Sequence, residues 1–210
     1  FNGAIKKASS QREGAEFKTE IECYDGAVNV ATATVSQTQP PGSTRKALIN
    51  GLIESLTGIN SKTIGAGFED ASKRGVSLMG NPMDLLQQFS GNTFYIDSQN
   101  AYALGPEEVI PSDIRLISAE NGLLGTPRKY ETLVELDMLF EPRLKPSQAI
   151  ELKSVTDARF NGVYKLVGLT HRGTISGSIG GDCKTSVQLL EIKNAKVVFD
   201  SATSEYRIVQ

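Results

Sequence analysis

The sequence predicts an α+β fold, mainly β, in which a duplicated β-hairpin frames a small helix-containing α/β unit. Three observations carry this. Phe-Asn-Gly occurs at Phe1 and again at Phe160, each time ahead of a strand-like run. Apolar residues at helical spacing are confined to the middle of the chain, and beyond Pro111 the pattern turns to two-residue alternation.

From Phe1 to Asp25 the pattern reads strand, turn, strand, with Arg12-Glu13-Gly14 as the turn. Residues 26–42 run through Thr, Ala and Val to Pro40-Pro41-Gly42, a linker or extended segment. A helix follows, with Ser43 as N-cap, Leu48, Ile49, Leu52, Ile53 and Leu56 at helical spacing, and Gly58 as C-cap. In a second helix Asn81 caps, Pro82 takes the first helical position, and Met83, Leu85, Leu86 and Phe89 form the buried side. Thr93-Phe94-Tyr95-Ile96 and Ala101-Tyr102-Ala103-Leu104 flank Asp97-Ser98-Gln99-Asn100, a hairpin signature.

In the last third, Val134, Leu136, Met138 and Phe140 alternate with Glu135, Asp137 and Leu139, which predicts a half-buried strand with the first four in the core. Another strand is expected through Ala149-Ile150-Glu151-Leu152. A final hairpin is expected from Lys196-Val197-Val198-Phe199 and Tyr206-Arg207-Ile208-Val209. Several short strands separated by turns indicate a barrel or a sandwich.

Sliding the first Phe-Asn-Gly onto the second matches Lys6 with Lys165 and Gly14 with Gly173, and sets His171 opposite Arg12. After a longer loop, Phe17, Thr19, Ile21 and Cys23 fall on Cys183, Thr185, Val187 and Leu189, giving both strands one shared buried face. Val187 and Leu189 thereby join the expected barrel core, and both cysteines fall on core-type positions.

Composition narrows the function. Hydrophobic residues make up 39% and charged residues 22%, an ordinary globular balance. A net charge of −2 gives no whole-chain case for nucleic-acid binding. No apolar run reaches membrane-spanning length. The chain opens on Phe1 rather than Met, so a fragment or processed product is expected. Two cysteines and one histidine form no metal-ligand cluster, so neither a metal nor a cofactor is expected. With no secretory signal in view, the thiols are expected to be reduced.

The remaining motifs carry little chemistry. Gly65-Ala66-Gly67 lacks the context of a dinucleotide loop, Glu107-Glu108 are expected to face solvent, and Lys73-Arg74 is too short for a nucleic-acid patch. Cys183 and His171 form a conceivable nucleophile pair across a hairpin, but no catalytic constellation emerges.

Two stretches carry a family resemblance: ENGLLGTPRKYETLVELDMLFEPRLKPSQAIEL and FNGVYKLVGLTHRGTISGSIGGDCKTSVQLL. With the earlier RGVSLMGNPMDLLQQFSGNTFYID, they resemble the baseplate hub proteins of tailed bacteriophages over roughly residues 1–192. Leu139-Phe140-Glu141-Pro142 and the stretch from Thr170 to Gly181 are the most telling parts. The family is related in architecture to the spike-carrying hubs of type VI secretion and contractile bacteriocins.

The resemblance implies residues 1–25 as the closing hairpin of a truncated first barrel and 26–112 as the α/β domain. It implies 113–192 as a second, tail-tube-like β-barrel and 193–210 as a C-terminal hairpin or extension. It further implies a non-enzymatic homotrimer in the virion tail, assembled in the host cytoplasm. Its partners would be the tail tube protein, a spike or tail-tip protein and the tape-measure protein, with DNA passing through without specific binding. One barrel face would then line the bore, and Glu135 and Asp137 are the candidate channel-lining residues. The rival readings are a peptidoglycan-degrading tail enzyme, a type VI or bacteriocin spike hub, and a host-surface binding module. The absence of Trp disfavours the last.

Overall fold

The computed structural model describes residues 3–174 and 183–192, with the backbone of 196–200 and 205–209. Phe1 and Asn2 of the first repeat, and residues 175–182 of the second, lie outside the described residues. The chain forms two compact units, Phe1–Pro106 and Glu107–Gln210. The mainly β, α+β class is as the sequence predicts.

The first unit opens with the antiparallel hairpin β1 (Ala4–Glu13) and β2 (Glu16–Tyr24). Residues 26–42 hold the short helix α1 (Ala27–Thr32) where a linker is one expectation, and the extended alternative is met by β3 (Val35–Gln39). Asn29 explains the ordering, because its buried amide donates to Thr57 O at 2.8 Å while its oxygen accepts from Thr57 N at 2.8 Å. The next helix, α2 (Arg45–Glu54), is capped by Thr44 rather than Ser43. Thr44 Oγ1 accepts from Ala47 N at 3.2 Å, whereas Ser43 Oγ turns back to donate to Pro40 O at 2.8 Å. The helix stops before Gly58, which takes a left-handed φ of 73° in the following turn.

β4 (Ser61–Ile64), β5 (Val76–Gly80), α3 (Pro82–Ser90), β6 (Phe94–Asp97) and β7 (Asn100–Ala103) complete this unit. β3 pairs with β5, and β4, β7 and β6 form a second small sheet in that order. Leu48, Ile49, Leu52 and Ile53 of α2 pack with Leu86, Leu78, Phe68 and Phe94 into one core. Each such side chain contributes about 2 kcal/mol through burial. As expected, Asn81 caps α3, accepting from Met83 N at 2.8 Å. The β6–β7 turn holds Ser98 and Gln99 at φ 51° and 67°, as a two-residue type I′ turn requires. The Asn100 side chain pins it by donating to Asp97 O and Ser98 O.

The second unit is a six-stranded sheet curled into a half-barrel. Its strands are β8 (Arg115–Ser118), β9 (Leu123–Tyr130), β10 (Leu133–Leu139), β11 (Ala149–Lys153), β12 (Gly162–Gly173) and β13 (Cys183–Glu191). They lie in the order β8-β11-β12-β13-β10-β9, with only the β8–β11 pair parallel. A separate hairpin, β14 (Lys196–Asp200) with β15 (Glu205–Val209), follows. Val134, Leu136 and Met138 are buried with Val187 and Leu189, around Ile150, Leu152 and Leu166.

Phe140 departs from its expected place in that core, being 45% exposed. β10 ends at Leu139, and the chain turns away where Glu141 N donates to Thr185 Oγ1 at 3.1 Å and Pro142 offers no donor. The alternation therefore breaks one residue early. Phe140 instead meets the His171 ring edge-on, with centroids 5.2 Å apart.

Candidate functional site

The two long hairpins share more than a tripeptide. In each, one extra residue bulges from the first strand at the same rung. Lys6 sits between the pairs Ile5↔Cys23 and Lys7↔Glu22, and Val167 between Leu166↔Leu189 and Gly168↔Gln188. Counting from the bulge, Ile5 corresponds to Leu166, Ser10 to His171, Arg12 to Gly173 and Phe17 to Cys183. The tripeptide match sets Lys6 on Lys165, two residues short of the bulged Val167. The second strands keep the correspondence read from sequence, while the first strands slide by two. His171 is thus the counterpart of Ser10, not of Arg12. A bulge fixes twist and register together, so it marks equivalence better than three side chains.

The corresponding faces differ in burial. Leu166 and Val187 are 0% and 2% exposed, whereas Ile5 and Ile21 are 65% and 56% exposed. Phe17 is 77% exposed, Cys183 is exposed and Cys23 half-buried, so these are not core residues here. The reason is architectural. β10 and β11 flank and cover β12–β13, while β1 and β2 pair only with each other. Cys183 opens β13 and pairs with Gly173, the last residue of β12, at the far end of the ladder from Tyr164 and Glu191.

On the opposite face of the half-barrel, Glu135 and Asp137 project from β10, both half-buried. Glu135 accepts from Gln188 Nε2 at 2.7 Å and pairs across the ladder with Arg128 of β9. Asp137 accepts from Ser186 Oγ at 2.5 Å and lies 3.3 Å from Lys184 Nζ. The Ser186 hydrogen bond, with Lys184 and Arg128 behind it, holds the Asp137 carboxyl below its ordinary range against partial burial. Although only Asp137 of the two forms an ion pair, Lys184 and Arg128 thus offset the charge of the two carboxylates on this wall. Gly168 makes room for it, since a side chain there would collide with Gln188. Arg128, Gly168 and Gln188 escaped sequence reasoning. The signal for Arg128 and Gln188 was their rung in the ladder, visible only once strand order is known.

The residues weighed for catalysis are not assembled. His171 Nδ1 lies 2.8 Å from Thr185 Oγ1 rather than engaging Cys183. Among the described residues, no group of three or more His, Cys, Asp or Glu side chains is placed to hold a metal. No helix among them is long and apolar enough to cross a membrane. Glu108 does not simply face solvent: it is half-buried and acts on Lys165.

A sequence model of the family described as baseplate hub gp41 matches residues 1–172, well over half of the chain. The chain belongs to this baseplate hub family. It is a structural component of a tailed-phage baseplate hub, a setting that implies the virion tail and association with other tail components. Among solved structures, the hub chain is similar to the tail protein from Neisseria meningitidis MC58. The TM-score is 0.64 at 10% identity, over 90% of this chain and 79% of that one, which is a likeness of fold. No curated protein shows significant sequence similarity.

Proposed function

We propose that the hub chain works as a homotrimeric ring at the distal end of the tail tube. The ring joins the tube to a spike or tail-tip protein. Its bore passes the tape-measure protein and then DNA, by assembly and gating without bond chemistry. The observation that carries this reading is the bulge shared by β1–β2 and β12–β13. Two copies of one barrel hairpin per chain, times three chains, supply the six positions that a sixfold tube requires. Residues 1–25 then act as the closing hairpin of a first barrel, whose apolar face bears Ile5 and Ile21, and 113–192 as the second barrel. In this arrangement Glu135 and Asp137 face the bore. Their balance by Arg128 and Lys184 suits a conduit, because unpaired basic residues would hold phosphates and slow passage.

Mass determination by light scattering, on the full-length protein across a concentration series, tests the ring. A trimer is expected, and a monomer at high concentration would overturn it.

A further inference from the structure

Lys165 lies on β12 between Ala149 of β11 and Leu190 of β13. Its neighbours Tyr164 and Leu166 point into the core, so alternation sends the lysine to the outer face, where lysines normally reach water. Yet Lys165 is only 4% exposed. The chain between Pro106 and β8, residues 107–114, carries no helix or strand and is tied down beside it. Ile110 N donates to Ser147 O at 2.9 Å, and Gln148 Nε2 donates to Asp113 O at 2.9 Å. Ser147 and Gln148 are themselves buried and bound to the lysine's own strand: Ser147 N donates to Leu166 O at 2.7 Å and Leu166 N to Gln148 O at 2.9 Å. Glu108 supplies the charge facing the amine from this segment. Ala149 and Leu190, the cross-strand partners, are uncharged, and Glu191 acts on Tyr164 instead.

We infer that residues 107–114 are a strap over the outer face of the half-barrel, with Glu108 facing the buried Lys165, whose closure weakens when the lysine is charged and tightens when it is neutral. Burial pulls the Lys165 amine down to about 8, with Glu108 opposing. The closed state therefore binds its proton less tightly than the open one. Closing is weakest below about pH 8 and strengthens as pH rises toward the ordinary lysine value of 10.5.

Hydrogen exchange of the Ile110 amide in the full chain, corrected for intrinsic exchange, tests this. Protection is expected to rise about tenfold from pH 6.5 to pH 9. Glu108→Gln should lower protection at pH 6.5, where the ammonium loses its facing carboxylate. Lys165→Met should raise it and abolish the pH dependence. Wild-type protection that is flat with pH, or unchanged protection in Glu108→Gln, would overturn the strap. So would a pH slope that persists in Lys165→Met. If the methionine variant fails to fold, the wild-type slope and Glu108→Gln still decide. None of these readouts depends on trimerisation, so the strap and the ring stand or fall separately.

Discussion

Thr185 Oγ1 lies 2.8 Å from His171 Nδ1, and the Ser10 and Thr19 hydroxyls, 2.9 Å apart, hold the same rung of the other hairpin. The shared rung has different surroundings. Thr185 is fully buried and also accepts from Glu141 N, while Ser10 and Thr19 are exposed. One hydroxyl therefore anchors the turn after β10, and its counterpart is solvated.

Thr185→Val should cost about 1–3 kcal/mol, because it leaves the Glu141 amide without its acceptor. His171→Ala, at an exposed position, should cost less, and any cell-wall lysis measured for the protein should not change. Urea titration of both variants checks this, and a loss below roughly 0.5 kcal/mol for the valine variant would reject the anchor.

Leu136→Ala should destabilise by about 2–5 kcal/mol, as expected for a fully packed position. Phe140→Ala should cost nearer 1 kcal/mol, since the ring is half in solvent against His171. Equal losses in denaturant would contradict the placement of Phe140 outside the core.

Glu141 receives both Arg143 guanidinium donors at 2.8 Å, and the backbone N–H of Arg143 at 3.1 Å. The Arg143 side-chain bonds lead in holding its carboxyl at about 2, below the ordinary 4.5. A depressed carboxylate stabilises the fold above its unfolded value and loses that contribution as pH falls from 4.5 toward 2. Glu141→Gln should therefore be less stable by about 1 kcal/mol at pH 7, solvent screening of Arg143 keeping the figure small. The gap should close near pH 2. A constant gap between pH 7 and pH 2 would remove the ion pair as its cause.

Native thiol titration should label Cys183 quickly and Cys23 more slowly, following their exposure. Slow labelling of Cys183, with full labelling only after denaturation, would return it to the core.

Replacing Glu135 and Asp137 together by Lys should leave folding and trimerisation intact. It should slow DNA release from assembled particles, most clearly at low salt where screening is weak. Unchanged ejection kinetics would end the channel assignment.

Much of the architecture is legible in the residues. Alternation from Val134 to Met138 identifies β10 and its buried side, and Asn81-Pro82 places the start of α3. Local sequence misleads where a distant partner decides. Phe140 continues the alternation, but Thr185, far along the chain, captures Glu141 and turns the strand away. Asn29 sits in a stretch with weak helical signal and is ordered by Thr57. The repeat shows both sides of this. Phe-Asn-Gly draws attention to it, yet the tripeptide is two residues out of step with the ladder, because a bulge leaves no composition signature. The wall around Glu135 and Asp137 is half legible. The carboxylates follow from alternation, whereas Arg128 and Gln188 become their partners only through a strand order that local patterning does not encode.

The one parallel pair of the half-barrel sheet, β8 with β11, has a consequence for biosynthesis. Ile117 finds Leu152 as its neighbour only after the whole of β9 and β10 has been made. The hairpins β9–β10 and β12–β13 close over short stretches of chain, on the fast timescale of local contacts. β8 leaves the ribosome first in this unit and waits longest for its place. Until β11 arrives it is a nascent strand with an apolar side and no neighbour, the kind of segment that chaperones hold.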